Sequence, residues 1–151
     1  VKGHNTVVFV DDFLSIGPDE LATCRTQCFL SVLLQVLGLP EKLSKKILPS
    51  AIIDFVGFVF NFPQLTISIS ESRARDLVSR IQVILSANGK VRVSQLASLV
   101  GKLVFAAQVV HGAHTFTRRL FDAVSTLPPG RFRPTSAIRA DFLWWKNFLS
   151  L

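Results

Sequence analysis

The chain has 151 residues, 49% of them hydrophobic, with a formal net charge of +7 and a pI of about 10.1. That is enough apolar material for one domain or two small lobes, but no apolar run is long enough to span a bilayer, so no membrane association is expected. The excess of base points to a polyanionic partner.

The first expected element is a hairpin. Thr6-Val7-Val8-Phe9-Val10 and Phe13-Leu14-Ser15-Ile16-Gly17 are two apolar, β-rich runs, and Asp11-Asp12 lies between them. Burying an unpartnered carboxylate is costly. The acidic pair is therefore expected to form a tight, solvated turn. Two carboxylates fixed at such a tip would bind a hard divalent cation through oxygen, Mg²⁺ above all. Such a cation can support phosphoryl or nucleotidyl transfer. The plain alternative is an ordinary Asp-Asp turn.

Pro18, Asp19 and Glu20 suit the start of a helix running to about Leu37, with Gly38 and Pro40 ending it. Cys28, Val32 and Val36 recur every four residues and are expected to face the sheet. Cys24 and Cys28 share a helix face, a spacing that rarely forms a disulfide. No His/Cys set stands nearby to complete a zinc site. They read as buried free thiols of a reducing compartment, so the expected location is intracellular, cytoplasmic or nuclear.

A polar connector, Glu41 to Ser50, carries Lys42, Lys45 and Lys46. Strands are expected over 52–60 and 65–69, around Asn61-Phe62-Pro63-Gln64. Gly57 would sit mid-strand, at a bulge or a close backbone approach. Phe55, Phe58, Phe60 and Phe62 are expected in the core. From Ser70 the period becomes helical, with Leu77, Ile81, Ile84 and Leu85 in one stripe and Asn88-Gly89 at its end. Val91 to Val93 reads as an extended link. Ser94 is expected to cap a second helix whose Leu96, Leu99, Val100, Leu103 and Val104 face inward. Gly112 breaks it, and Thr115 is expected to cap a third helix reaching about Ser125. Pro128-Pro129-Gly130 reads as a linker. A last helix starts near Ser136 and carries Phe142, Trp145 and Leu149. Trp144 and Trp145 are expected to pack rather than to stack on bases. His4, His111 and His114 show no metal-binding spacing, and the last two read as loop residues.

The sequence thus predicts an α+β chain: two hairpins and a helix over 1–69, an all-α lobe over 70–127, and a linker with a further helix over 128–151. Charge follows the same division. Residues 1–70 hold five Lys/Arg and six Asp/Glu, whereas 71–151 hold twelve and four, a net +8. A neutral half with an acidic tip beside a basic half suits a metal site next to a phosphate-binding surface. In the basic half, Ser94 and Gln95 stand at a helix start, where free N–H groups favour phosphate. Gly101 would let Lys102 approach a sugar-phosphate backbone, and Arg118 and Arg119 would continue the track.

Several of these segments carry a family likeness. Phe9-Val10-Asp11-Asp12 resembles the aromatic-x-Asp-Asp motif of reverse transcriptases, with Phe9 where Tyr is usual. Phe55-Val56-Gly57-Phe58 resembles the primer-grip strand, and Leu96-Ala97-Ser98-Leu99-Val100-Gly101-Lys102-Leu103 the thumb helix of retrotransposon enzymes. Arg118-Arg119-Leu120 and Asp141-Phe142-Leu143-Trp144-Trp145 fit the same group. The likeness is to LTR-type and tyrosine-recombinase (DIRS-like) elements, and it runs in order along nearly the whole chain. It implies the C-terminal half of a polymerase palm, a thumb and the start of a connection. The implied activity is template-directed DNA synthesis by two-Mg²⁺ nucleotidyl transfer, using an RNA or DNA template-primer duplex and deoxynucleoside triphosphates.

In that resemblance Asp11 is the firmer metal ligand and Asp12 lies close to the metals. Lys45 matches a lysine near the triphosphate by its distance from Phe55, with Lys42 and Lys46 as close competitors. Phe55, Val56, Gly57 and Phe58 would position the primer end. Ser94, Gln95, Gly101, Lys102, Arg118 and Arg119 would hold the duplex. The family's first aspartate and its fingers lie upstream of the motif, and an RNase H domain downstream. The sequence has no Met and opens within an expected strand. It is read as a segment of a longer polypeptide, inactive alone. The alternative is a non-catalytic nucleic-acid-binding or protein-interaction module derived from a retroelement. The missing first aspartate favours that alternative for this chain; the intact Asp11-Asp12 pair favours descent from an active enzyme.

Overall fold

The computed structural model describes residues 5–39, 41–87 and 90–150. His4, Pro40, Asn88 and Gly89 lie outside them, and so do the expectations placed on these residues. The chain is α+β and divides into two units, Val1–Thr66 and Ile67–Leu151. Among the described residues no helix is long and apolar enough to cross a membrane.

In the first unit, β1 (Asn5–Phe9) and β2 (Asp12–Ile16) form an antiparallel hairpin with Phe9 opposite Asp12 and Val7 opposite Leu14. The sequence puts the turn at Asp11-Asp12, and the structure corrects it. Val10 and Asp11 make it, and Asp12 opens β2. A two-residue hairpin turn needs a left-handed residue at its first position. Val10 supplies it at φ +57°, a conformation that costs an L-residue about 1–2 kcal/mol.

Helix α1 (Glu20–Val36) is capped by Asp19, whose Oδ1 accepts the Ala22 N–H at 2.7 Å. It ends in a Schellman motif around Gly38 at φ +72°. Leu39 N–H donates to the Leu34 carbonyl at 2.9 Å and Gly38 N–H to the Gln35 carbonyl at 3.1 Å. Thr26 and Leu34 are its buried residues, and α1 packs on β2. The expected packing face is wrong: Cys28 is exposed, Val32 is 61% exposed and Val36 78%. The helix is apolar on nearly every side, so a four-residue spacing cannot select one face. The cysteines are free, but Cys28 is exposed and Cys24 only half-buried.

The connector contains a 3-10 turn, Leu43–Lys45, and is tied to α1. Gln27 Nε2 donates to the Ile47 carbonyl at 3.0 Å, and Lys46 Nζ to Ser31 Oγ at 2.7 Å. Beyond it the expected long strand is a hairpin of β3 (Ile52–Phe55) and β4 (Phe58–Asn61), with Phe55 opposite Phe58. Val56 at φ +53° and Gly57 at φ +80° form its turn. Two left-handed residues in succession are the type I′ requirement, so Gly57 is a turn residue and not a mid-strand one. Phe55, Phe58 and Phe60 are half-buried and Phe62 is exposed, so none reaches the fully buried state expected of it. Strand β5 (Thr66–Ile69) follows where the chain passes into its second unit.

The second unit contains α2 (Glu71–Ser86), β6 (Val91–Arg92), α3 (Val93–Ala106), α4 (Ala113–Thr126), β7 (Arg131–Phe132) and α5 (Ser136–Leu149). Helix α2 packs on α3 and α5, and α4 on α3 and α5. The expected stripes form the core: Leu77, Ile81 and Ile84 from α2, Leu96, Leu99, Val100 and Leu103 from α3, and Phe142 and Trp145 from α5. Val104 instead lies 38% exposed. Helix α3 starts at Val93, so Ser94 is in its first turn rather than at its cap, and Gln95 Oε1 accepts the Arg92 N–H at 3.4 Å. Helix α4 starts directly after Gly112, at φ +75°, which places His114 and Thr115 inside it. Residues 128–150 fold back into the unit: Phe132 pairs with Val91, both buried, and Thr135 Oγ1 caps α5 by accepting the Ile138 N–H at 3.3 Å.

Candidate functional site

In the first unit an open cleft of about 1010 Å³ runs between the β1–β2 tip, the connector and the β3–β4 turn. Asp11, Asp12, Lys45, Phe55 and Val56 all line it, although up to 45 residues of sequence separate them. Gly57 and Phe58 complete the turn without lining the cleft. Asp11 and Asp12 are solvent-exposed at the tip. Lys42 and Lys46 line the cleft too, but Lys46 is engaged by Ser31 and lies 3.6 Å from Glu41 Oε2. Lys42 and Lys45 are its exposed cations without an ion pair among the described residues. Two adjacent exposed carboxylates fit one hydrated Mg²⁺, which commonly takes one or two carboxylates and keeps its waters. They do not fit a pair of ions. Among the described residues no three His, Cys, Asp or Glu side chains gather where a metal could sit.

In the second unit the residues expected to hold phosphate lie on α3 and α4. Ser94, Gln95, Gly101 and Lys102 are exposed along α3, and Gly101 has open space beside it. Lys102 is not free. Its Nζ lies 2.6 Å from Asp76 Oδ2 on α2, and Arg80 Nε reaches the same carboxylate at 2.8 Å. The Lys102 hydrogen bond and then that of Arg80 hold the Asp76 carboxyl below its usual range. Arg118 and Arg119 are exposed on α4, and Arg119 Nη1 lies 3.5 Å from Asp141 Oδ2.

Asp141 enters from the sequence only as the first residue of the family-like segment Asp141-Phe142-Leu143-Trp144-Trp145, with no role attached to it. It is buried on α5, and among the described residues neither its Oδ2 nor Trp145 Nε1 one turn further has a hydrogen-bond partner. Burial pushes its pKa up, and the charge of Arg119 opposes that rise. Between the unfolded and the raised folded pKa the native state holds more protons, so stability falls as pH rises through that window and levels off above it. Asp141→Asn should abolish this fall and be the more stable protein at neutral pH. Urea midpoints for both proteins from pH 3 to pH 8 measure it, and parallel curves would remove Asp141 as the cause.

With this geometry in view, the chain is similar to a foamy viral protease–reverse transcriptase solved in complex with double-stranded DNA. The TM-score is 0.71 over 95% of this chain, at 17% sequence identity. The chain spans 24% of the length of that protein. The fold is therefore reverse-transcriptase-like. No protein-family profile and no curated protein sequence matches the chain.

Proposed function

We propose that this chain is the C-terminal palm half and the thumb of a retrotransposon reverse transcriptase, of the LTR or DIRS-like type. In a longer intracellular polypeptide it would extend a primer on an RNA or DNA template with deoxynucleoside triphosphates. The observation that carries this reading is the convergence of Asp11, Asp12, Lys45 and Phe55 on one cleft within a reverse-transcriptase-like fold. The acidic tip would hold Mg²⁺ and Lys45 would face the triphosphate. The Phe55–Phe58 turn would support the primer end, and the helical unit would hold the duplex. The exposed apolar side of α1, with Leu21, Phe29, Val32 and Val36 all more than half exposed, also suits a piece of a larger catalytic domain.

Two carboxylates are too few for a two-ion site, and that favours the second reading for this chain alone: a non-catalytic nucleic-acid-binding or protein-interaction module. Both nucleic-acid readings predict that the isolated chain holds duplexes through phosphates. Fluorescence anisotropy with labelled duplexes should give binding that is insensitive to sequence and falls steeply with salt, because each neutralised phosphate releases counterions. A flat salt dependence, or a strong preference for one sequence, would end the thumb reading.

A further inference from the structure

Six of the twelve Lys/Arg between residues 71 and 151 are already engaged. Arg75 pairs with Glu71, Arg80 and Lys102 share Asp76, and Arg119 reaches Asp141. Arg139 donates to the Leu85 and Ala87 carbonyls, and Arg73 lies 5.0 Å over the Phe105 ring. Of the other six, four gather at the small β6–β7 ladder, while Arg118 and Lys146 stand on α4 and α5. Arg92 stands directly opposite Arg131, and Lys90 and Arg133 flank the pair. All four are exposed, and none has an ion pair among the described residues.

The ladder fixes where these two arginines sit. Val91 and Phe132 are partners and both are buried, so their neighbours Arg92 and Arg131 project from the opposite, outer face. The Val93 N–H donates to the Gly130 carbonyl at 2.9 Å and locks the crossing. Directly opposite like charges on an antiparallel pair destabilise it unless an anion sits between them. A groove of about 610 Å³ opens beside the pair, lined by Arg92, Ser94, Ala97, Gly130 and Arg131 among others. Space beside Gly130 is open, which leaves the backbone approachable. Among the described residues no carboxylate lines this groove.

We propose that the β6–β7 ladder and its groove bind a backbone phosphodiester of a nucleic-acid strand, with Arg92 and Arg131 as paired guanidinium ligands. The proposal rests on the nucleic-acid reading above and moves the main phosphate contact away from Lys102 and Arg119, whose charges are already paired. Guanidinium suits the task because its fork matches two phosphate oxygens at once. Lys90 and Arg133 extend the positive field to the neighbouring phosphates.

The test is an anisotropy titration of the full chain with labelled DNA duplexes and single strands at several KCl concentrations. Arg92→Gln/Arg131→Gln should weaken binding about tenfold or more at low salt and flatten the log–log salt slope on duplex DNA by roughly 0.9, for the one phosphate lost. Arg75→Ala/Arg80→Ala, which removes the same net charge from α2, should change the slope far less. Circular dichroism of both variants should match the parent, since all four side chains are exposed. Duplex binding that survives the ladder variant unchanged overturns the site and leaves the duplex reading standing. Ladder-dependent binding of single strands without duplex binding keeps the site and removes the thumb reading. No binding to either removes both. Equal competition by inorganic phosphate or by polyglutamate, per charge, shows a generic anion patch and also overturns the proposal.

Discussion

Trp145→Ala is expected to destabilise the helical unit by about 3–5 kcal/mol, the range for truncating a large buried aromatic. Trp145 is fully buried on α5, where α2 and α4 both pack. It meets Trp144 edge-on with ring centroids 5.5 Å apart at 86°. Phe116, Trp144 and Phe148 continue the aromatic stack, with centroids 4.1 Å and 5.4 Å apart on either side of Trp144. Removing the central indole therefore opens a cavity bounded by three helices, which rigid ring neighbours cannot fill. Small domains hold only about 5–15 kcal/mol in total, so this single change approaches the whole stability of the unit. Trp145→Phe should cost much less: it keeps most of the volume and removes an indole N–H that has no acceptor. Amide hydrogen exchange resolves the effect locally, which matters because a chain of two units need not unfold in one step. Protection should collapse through α2, α3, α4 and α5 in the alanine variant. Unchanged protection there would mean that Trp145 is not central to the core.

The same packing explains which parts of the fold were legible in the sequence. Helix α2 sets Leu77, Ile81 and Ile84 against charged residues, and α3 sets Leu96, Leu99 and Leu103 against Ser94, Gln95, Ser98, Gly101 and Lys102, so each could be read as one face. Helix α1 has no such contrast, and one of its two buried residues is the polar Thr26. The first hairpin turn lies one residue before its expected place and the second interrupts what reads as one strand over 52–60, because Val10 and Val56 adopt a left-handed conformation that β-branched residues rarely take. Local preference points away from those turns, and the strand register overrides it.

For the site the limit was distance along the chain. Asp11, Asp12, Lys45 and Phe55 were each visible as residue types, and only the tertiary fold brings them to one cleft. Charge counting located the basic half but could not say which cations are spent on Asp76 and Asp141. Arg92 and Arg131 are 39 positions apart, and nothing local in either segment announces their pairing.

Asp11→Asn/Asp12→Asn should abolish divalent-cation binding at the hairpin tip. Both carboxylates are exposed and Val10-Asp11 is a tight turn, so the two charges are held close with solvent on their outer side. Such a pair suits one Mg²⁺ or Mn²⁺ that keeps several waters, with a dissociation constant on the order of millimolar. The Lys42 and Lys45 charges across the cleft weaken a bare cation further, while they would favour one that arrives with a triphosphate. Mn²⁺ is the practical probe, because its paramagnetism broadens nearby amide signals. In the parent, signals from Val10 to Phe13 should broaden first on titration. The double variant should lose this effect, and Asp11→Asn alone should lose more of it than Asp12→Asn. Exposed substitutions of this kind shift stability by only about 0.5 kcal/mol, so the fold itself is not at risk. Because no third carboxylate joins the pair among the described residues, the chain alone should also fail to extend a primer on poly(rA)/oligo(dT) in Mg²⁺. Broadening that persists in the double variant would place the cation elsewhere, and measurable extension by the chain alone would mean that two carboxylates suffice.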